Sequence, residues 1–262
     1  MDLGLSGRAV IVTGGSRGIG RAAARALVGE GASLLLVARS VDVLEQVVSE
    51  CGDRATALAL DITASDAGER VVAACLERHG RLDALVNNAG TTRSVPAPDL
   101  TDADWQEQWD LHVMAPMRLM RAAAPVMADA GWGRIVNVAS SSGKRPSLRN
   151  MAYSVTKAAE LSLSRAFADE WAARGVLVNA VTPGVVGTGL WLDPGGLADQ
   201  VAAAEGVGRD EVIAGLGAKI PLGRVGTEDE IAAVIAFLCS ERSSNVTGAA
   251  WSVDGGTVPV II

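Results

Sequence analysis

Along this chain, short runs rich in β-branched residues and leucine alternate with longer stretches whose apolar positions recur every three or four residues. The short runs predict strands at 8–12, 33–38, 55–60, 82–86, 134–139, 176–182 and 249–253. The longer pattern predicts helices at 21–30, 41–50, 65–79, 102–111, 113–130, 151–174 and 228–239, with Gly31, Gly80 and Gly175 placed where helices stop. The strands are apolar at consecutive rather than alternate positions, so both of their faces are buried, and parallel pairing follows from the strand–helix alternation. The expected fold class is α/β: one domain over 1–262, a doubly wound sheet of about seven parallel strands with helices on both faces. One segment, 187–221, departs from the rhythm and carries Trp191, Leu192, Leu197, Val201, Val212, Ile213 and Leu216 around a Gly195-Gly196 pair. A connection of that length is either a lid over a binding site or a helical excursion that covers core.

Composition narrows the function. The 262 residues are 49% hydrophobic and 20% charged, which excludes a disordered chain. A net charge of −7 repels phosphate backbones and anionic headgroups, so neither nucleic acid nor a membrane surface is an expected partner. Mean hydropathy is +0.27, yet the longest apolar runs, at 231–239 and 34–38, fall far short of the ~20 residues that span a bilayer. The first residues lack a basic stretch followed by an apolar run, and Cys51, Cys75 and Cys239 are few and set among apolar neighbours, so a reducing cytoplasmic setting is expected. With His79 and His112 as the two histidines, no metal site is expected.

Three groups of residues carry candidate chemistry. Thr13-Gly14-Gly15-Ser16-Arg17-Gly18-Ile19-Gly20 joins the first strand to the first helix, where glycines and a helix N-terminus admit a pyrophosphate; a tight connection without a ligand is the plainer reading. No Gly-Lys-Ser/Thr closes the turn, so it is not a P-loop. Tyr153 and Lys157 lie one helical turn apart on one face, and an ammonium beside a phenol favours phenolate, as a general acid or base requires; two solvated helix residues show the same spacing. Ser140 ends the fifth strand, at the edge where parallel sheets present side chains to ligands, although Ser140-Ser141-Ser142-Gly143 also reads as a turn.

Together these pieces resemble the short-chain dehydrogenase/reductase family along nearly the whole chain, in its 3-oxoacyl-(acyl-carrier-protein) reductase-like branch. The matching motifs are Thr13-Gly14-x-x-x-Gly18-x-Gly20, Leu60-Asp61, Asn87-Asn88-Ala89-Gly90, Ser140 with Tyr153-x-x-x-Lys157, Pro183-Gly184 followed by Thr188, and Val253-Asp254-Gly255-Gly256. The resemblance implies a Rossmann-type fold. It implies that Asp61 and Ile62 face adenine, that Asn88, Ala89 and Gly90 line the cofactor side of the fourth strand, and that Pro183, Gly184, Val186 and Thr188 reach the nicotinamide. It further implies that Ser140 polarises a carbonyl, Tyr153 exchanges the proton, and Lys157 binds the nicotinamide ribose and tunes Tyr153. At the position where the family places a catalytic asparagine, this chain has His112, which either takes over that proton path or only packs.

Charge points to the cofactor. Ala38 stands at the end of the second strand, where an acid would bind both ribose hydroxyls of NAD; Arg39 follows it, and Arg17 lies in the glycine turn opposite. Two guanidinium groups suit a 2′-phosphate, so NADP(H) is preferred, with NAD(H) also compatible. The expected activity is reduction of a ketone of 3-oxoacyl, polyketide or cyclic type to a secondary alcohol. The alternatives are an NAD-dependent secondary-alcohol or polyol dehydrogenase and a catalytically silent nucleotide sensor on the same fold. Lys144, Arg145 and Arg149 near the mouth of the site would attract an anionic acyl thioester, or are simply solvated. Apolar positions on 113–130 and 151–174, with the aliphatic tail Val258-Pro259-Val260-Ile261-Ile262, predict a homo-oligomer, a tetramer by family resemblance.

Overall fold

In a computed structural model that describes residues 2–259, the consecutive apolar runs become seven strands of one sheet, all parallel, in the order β3-β2-β1-β4-β5-β6-β7. The strands are β1 (Ala9–Thr13), β2 (Ser33–Ala38), β3 (Ala55–Ala59), β4 (Ala84–Asn87), β5 (Gly133–Val138), β6 (Val176–Pro183) and β7 (Ala250–Val253). The helices that connect them are α1 (Gly18–Gly29), α2 (Val41–Cys51), α3 (Ala67–His79), α4 (Asp102–Trp109), α5 (Ala115–Asp129) and α6 (Met151–Trp171). After β6 come three short helices, α7 (Gly189–Leu192), α8 (Leu197–Glu205) and α9 (Arg209–Gly215), and then α10 (Glu228–Leu238).

Alternate side chains of each strand enter opposite cores. Val10 and Val12 of β1, with Leu34 and Leu36 of β2, pack under Leu27 of α1, Leu44 of α2 and Ile235 of α10. Ile11, Leu35 and Leu85 point the other way, against Val71 of α3 and Leu119, Met120 and Met127 of α5. Two buried faces account for the unbroken apolarity of the strands. Reversal of strand order between β1 and β4 opens a crevice at the carboxyl ends of the strands, the place where doubly wound sheets bind ligands. Among the described residues no helix is long and apolar enough to cross a membrane.

The structure corrects the sequence pattern in two places. The expected break at His112 between helices at 102–111 and 113–130 is absent: Asp110–Met114 continues the backbone as a π-helical turn that joins α4 to α5. Such a wide turn inserts an extra residue into the helical ladder and redirects the side chains on it, often at functional sites. The apolar surplus of α5 is also smaller than its sequence suggests: its large apolar side chains are buried or half-buried, and the exposed ones nearby are Trp109 on α4 and Val155 on α6. In the tail, Val258 is buried and 260–262 lie outside the described residues.

Candidate active site

The glycine turn is held by backbone proximity. Gly14 adopts φ +63°, and a Cβ there would sit 2.8 Å from the Ala89 Cα; a Cβ on Gly20 would sit 2.2 Å from the Gly14 carbonyl oxygen, closer than atoms can approach. Asn88 clamps the turn, its Nδ2 donating to the carbonyls of Thr13 (3.0 Å) and Gly14 (3.2 Å). Thr13 Oγ1 in turn accepts from the N–H groups of Asn88 and Ala89 at 3.0 and 3.2 Å. β1 and β4 are thereby stitched together at their carboxyl ends. Helix α1 starts from Arg17 with no side-chain cap and no acid in its first turn, so its leading N–H groups are open to an external anion. Ser16 and Ile19 are half-buried on the same turn.

Around this turn the other expected cofactor contacts gather. Arg17 and Arg39 are exposed, and among the described residues neither side chain meets a carboxylate. Asp61 accepts from the Thr63 N–H (3.0 Å) and hydroxyl (2.8 Å), and these bonds, with Arg39's charge nearby, hold its carboxyl below the usual range. Ile62 is buried next to it. A Cβ built on Gly18 would lie 3.8 Å from Thr188 Cγ2, so the segment after β6 crosses over the glycine turn. Pro183 is buried at the end of β6, a Cβ on Gly184 would sit 2.9 Å from the Asp254 Cα, and Val186 is buried and bridges to Gly226.

At the carboxyl end of β5 the chemical residues converge. Ser140 is buried, and its Oγ accepts from the Ser142 N–H at 3.1 Å. Tyr153 is half-buried near the start of α6, and Lys157 Nζ sits 5.7 Å from its ring centroid. His112, 1% exposed on the π turn, meets the Tyr153 ring edge-on with centroids 5.2 Å apart. Both of its nitrogens are engaged. Thr91 N–H donates to Nε2 (3.3 Å), and Nδ1 lies 3.2 Å from Thr156 Oγ1, whose own hydrogen goes to the Tyr153 carbonyl (2.9 Å). That network assigns the proton to Nδ1. Burial, reinforced by the Lys157 charge, pushes His112 well below the ordinary histidine range, so it is neutral at physiological pH. A Cβ on Gly90 would come 3.2 Å from Nε2 and 3.7 Å from Lys157 Nζ, so the β4 loop closes over both groups.

Two features lie outside the sequence expectation. Lys157 forms a buried ion pair with Glu160 (2.7 Å), a residue that helix periodicity places on the same inward face, three positions on. The three cations of the 144–149 segment do not act together: Lys144 Nζ donates to the Ala250 carbonyl (2.7 Å) and Ser252 Oγ (2.9 Å) on β7, while Arg149 pairs with Glu205 of α8. Arg145 alone stays exposed without such a partner among the described residues. The 187–221 segment folds as α7, α8 and α9, and a second tie, from the Ser94 N–H to Gln200 Oε1 (2.8 Å), holds α8 to the loop after β4.

A switch-point crevice with a glycine turn at an uncapped helix start, next to a serine, a tyrosine and a lysine at the sheet edge, defines a nucleotide-dependent oxidoreductase. Residues 8–193 match the family model described as short chain dehydrogenase. The chain is similar to sorbitol dehydrogenase of Cereibacter sphaeroides, 33% identical over 96% of this chain and 98% of the relative. It is also similar to a 3-oxoacyl-(acyl-carrier-protein) reductase of Aquifex aeolicus, 32% identical over 98% and 99%. The solved structure of L-sorbose reductase from Gluconobacter frateurii, complexed with NADPH and L-sorbose, superimposes with a TM-score of 0.92 at 34% identity, covering both chains fully. The chain belongs to the short-chain dehydrogenase family. It is an NAD(P)-dependent oxidoreductase that acts on ketones or secondary alcohols.

Proposed function

We propose that the chain is an NADPH-preferring reductase that converts a ketone to a secondary alcohol, with Tyr153 as the proton donor. The observation that carries this reading is the grouping of Ser140, Tyr153 and Lys157 at one sheet edge, with two unpaired arginines at the far side of the glycine turn. The cofactor fit is physical: the uncapped start of α1 and the glycine turn (Gly14, Ser16, Gly18, Ile19, Gly20) suit a pyrophosphate, and Arg17 with Arg39 suit a 2′-phosphate. Asp61 and Ile62 would border the adenine, Asn88, Ala89 and Gly90 the middle of the cofactor, and Pro183, Gly184, Val186 and Thr188 the nicotinamide. When bound, the nicotinamide supplies the hydride. Ser140 Oγ donates a hydrogen bond to the substrate carbonyl oxygen, Tyr153 transfers its proton to that oxygen, and Lys157 holds a ribose hydroxyl while its charge stabilises the phenolate left behind. His112, neutral and doubly bonded, fixes the Tyr153 ring edge rather than carrying protons.

For the substrate, the primary candidates are 3-oxoacyl, polyketide or cyclic ketones. A polyol or ketose, with the chain as an NAD- or NADP-dependent polyol dehydrogenase, is the second reading. It draws support from the engagement of Lys144 and Arg149 by protein partners; the lining beside Tyr153 is mixed, with Thr92, Gln108 and Asn150 alongside Val95, Leu100 and Met151. In both readings α7–α9 cover the substrate. Three buried thiols suit a cytoplasmic location, and exposed Trp109, Leu148 and Val155 suit a homotetramer, which light scattering tests against a monomer. A screen of NADPH and NADH against 3-oxoacyl thioesters, cyclic ketones and ketoses tests the activity. NADPH-linked turnover of at least one class supports the reading; tight cofactor binding without turnover of any of them refutes it in favour of a silent sensor.

A further inference from the structure

Helix α6 buries two charged side chains, Lys157 at 3% exposure and Glu160 at 2%. A fully buried carboxylate is rare unless a partner compensates the lost hydration. Here the partner is Lys157: its Nζ donates to Glu160 Oε2 at 2.7 Å and to the Val138 carbonyl at 2.9 Å. Two of the three ammonium hydrogens are thus committed to protein, and one remains for a ligand hydroxyl. Among the described residues Lys157 is the one side chain that donates to Glu160. The groups that face this pair are few. The π turn offers His112, neutral and saturated, α6 itself offers Tyr153, and β5 and the β4 loop bring Val138, Ser140 and Gly90 without charge. Lys144, which directly follows the 3-10 turn Ser141–Gly143 packed against α6, is drawn away to β7.

We propose that Glu160 is a positioning residue for Lys157: its carboxylate pins the ammonium against the Val138 carbonyl and offsets part of the positive charge that reaches Tyr153. Burial alone would drag the Lys157 ammonium down, but the Glu160 charge, Tyr153 and the Glu160 hydrogen bond more than reverse this and hold it above the ordinary lysine range. Both His112 nitrogens are engaged elsewhere, and the second fixed contact of the ammonium comes from its own helix. The inference rests on the proposed function for what Lys157 does, but not for the existence of the pair.

The test uses Glu160→Gln, Lys157→Met and the double variant of the full chain. With the negative charge removed and the side chain's size kept, both limbs of the pH–rate profile for alcohol oxidation should move to lower pH, by about one pH unit or more for a charge held 2.7 Å from an ammonium that lies 5.7 Å from the Tyr153 ring centroid, at an effective dielectric of about 20. A role in packing alone leaves the limbs where they are. Melting of the unliganded proteins gives the second readout. Glu160→Gln strands a buried ammonium and should lower Tm by about 10 °C, whereas the double variant should recover much of that loss. A profile that superimposes on the wild type's, or melting losses that simply add, overturns the proposal. Where Glu160→Gln does not fold, a folded double variant upholds it and an unfolded one overturns it. Coupled melting in a chain without turnover upholds the pair while refuting the catalytic reading.

Discussion

Replacing His112 separates a structural histidine from a proton carrier. The ring is buried against Tyr153, with Thr91 N–H on one nitrogen and Thr156 Oγ1 on the other. His112→Ala leaves a cavity and robs the buried Thr156 hydroxyl of a partner, while the N–H of exposed Thr91 can turn to water. Together the cavity and the lost bond should cost about 2–4 kcal/mol, a fall in Tm of about 5–12 °C for a chain of this size. His112→Asn keeps part of the bonding and should cost about half as much. The pH dependence has a definite sign. Because the folded-state pKa lies below the unfolded value of about 6.5, the unfolded chain binds the extra proton first. The contribution of His112 to stability is therefore complete above about pH 6.5 and is lost as pH falls below it. Differential scanning calorimetry at pH 8 and pH 5.5 should show the gap between wild type and His112→Asn narrowing in acid, while the shape of the pH–rate profile stays common to both. A wild-type inflection in kcat/KM near pH 6.5 that vanishes in His112→Asn would show instead that His112 lies on a proton path.

Two other predictions concern the cofactor crevice. Ala38→Asp combined with Arg39→Ser should raise KM for NADPH about tenfold or more and improve NADH, since a carboxylate repels a 2′-phosphate and accepts ribose hydroxyls; a wild type that already prefers NADH contradicts the role of the arginines. Gly20→Ala forces a Cβ to 2.2 Å from the Gly14 carbonyl oxygen, so the turn must shift; cofactor binding by fluorescence titration should weaken at least tenfold, about 1.4 kcal/mol, and unchanged affinity counts against the turn as the phosphate site.

The architecture was legible because its signals are local and repeated. Consecutive apolar strands such as Ser33–Ala38 and glycine stops such as Gly80 and Gly175 need no knowledge of distant contacts. Element ends shifted by a few residues where tertiary contacts decide them, as at α3, which starts at Ala67 rather than 65, and at β4, which reaches Asn87. The π turn at Asp110–Met114 was hidden because a helix with one extra residue has no distinct local signature. Glu160 is not legible in sequence, since a charged residue within a helix reads as solvated until its burial is seen, although its spacing from Lys157 is a usable signal. The loop cations read as one patch in sequence, whereas in space Lys144 and Arg149 serve β7 and α8.

Proton donation by Tyr153 is tested most directly by Tyr153→Phe, assayed for NADPH-linked ketone reduction alongside NADPH affinity. The ring still packs against His112 and only the transferable proton is lost. Near wild-type cofactor affinity is expected, with turnover reduced roughly 10²-fold or more. Turnover above about a tenth of wild type would contradict general acid catalysis by Tyr153.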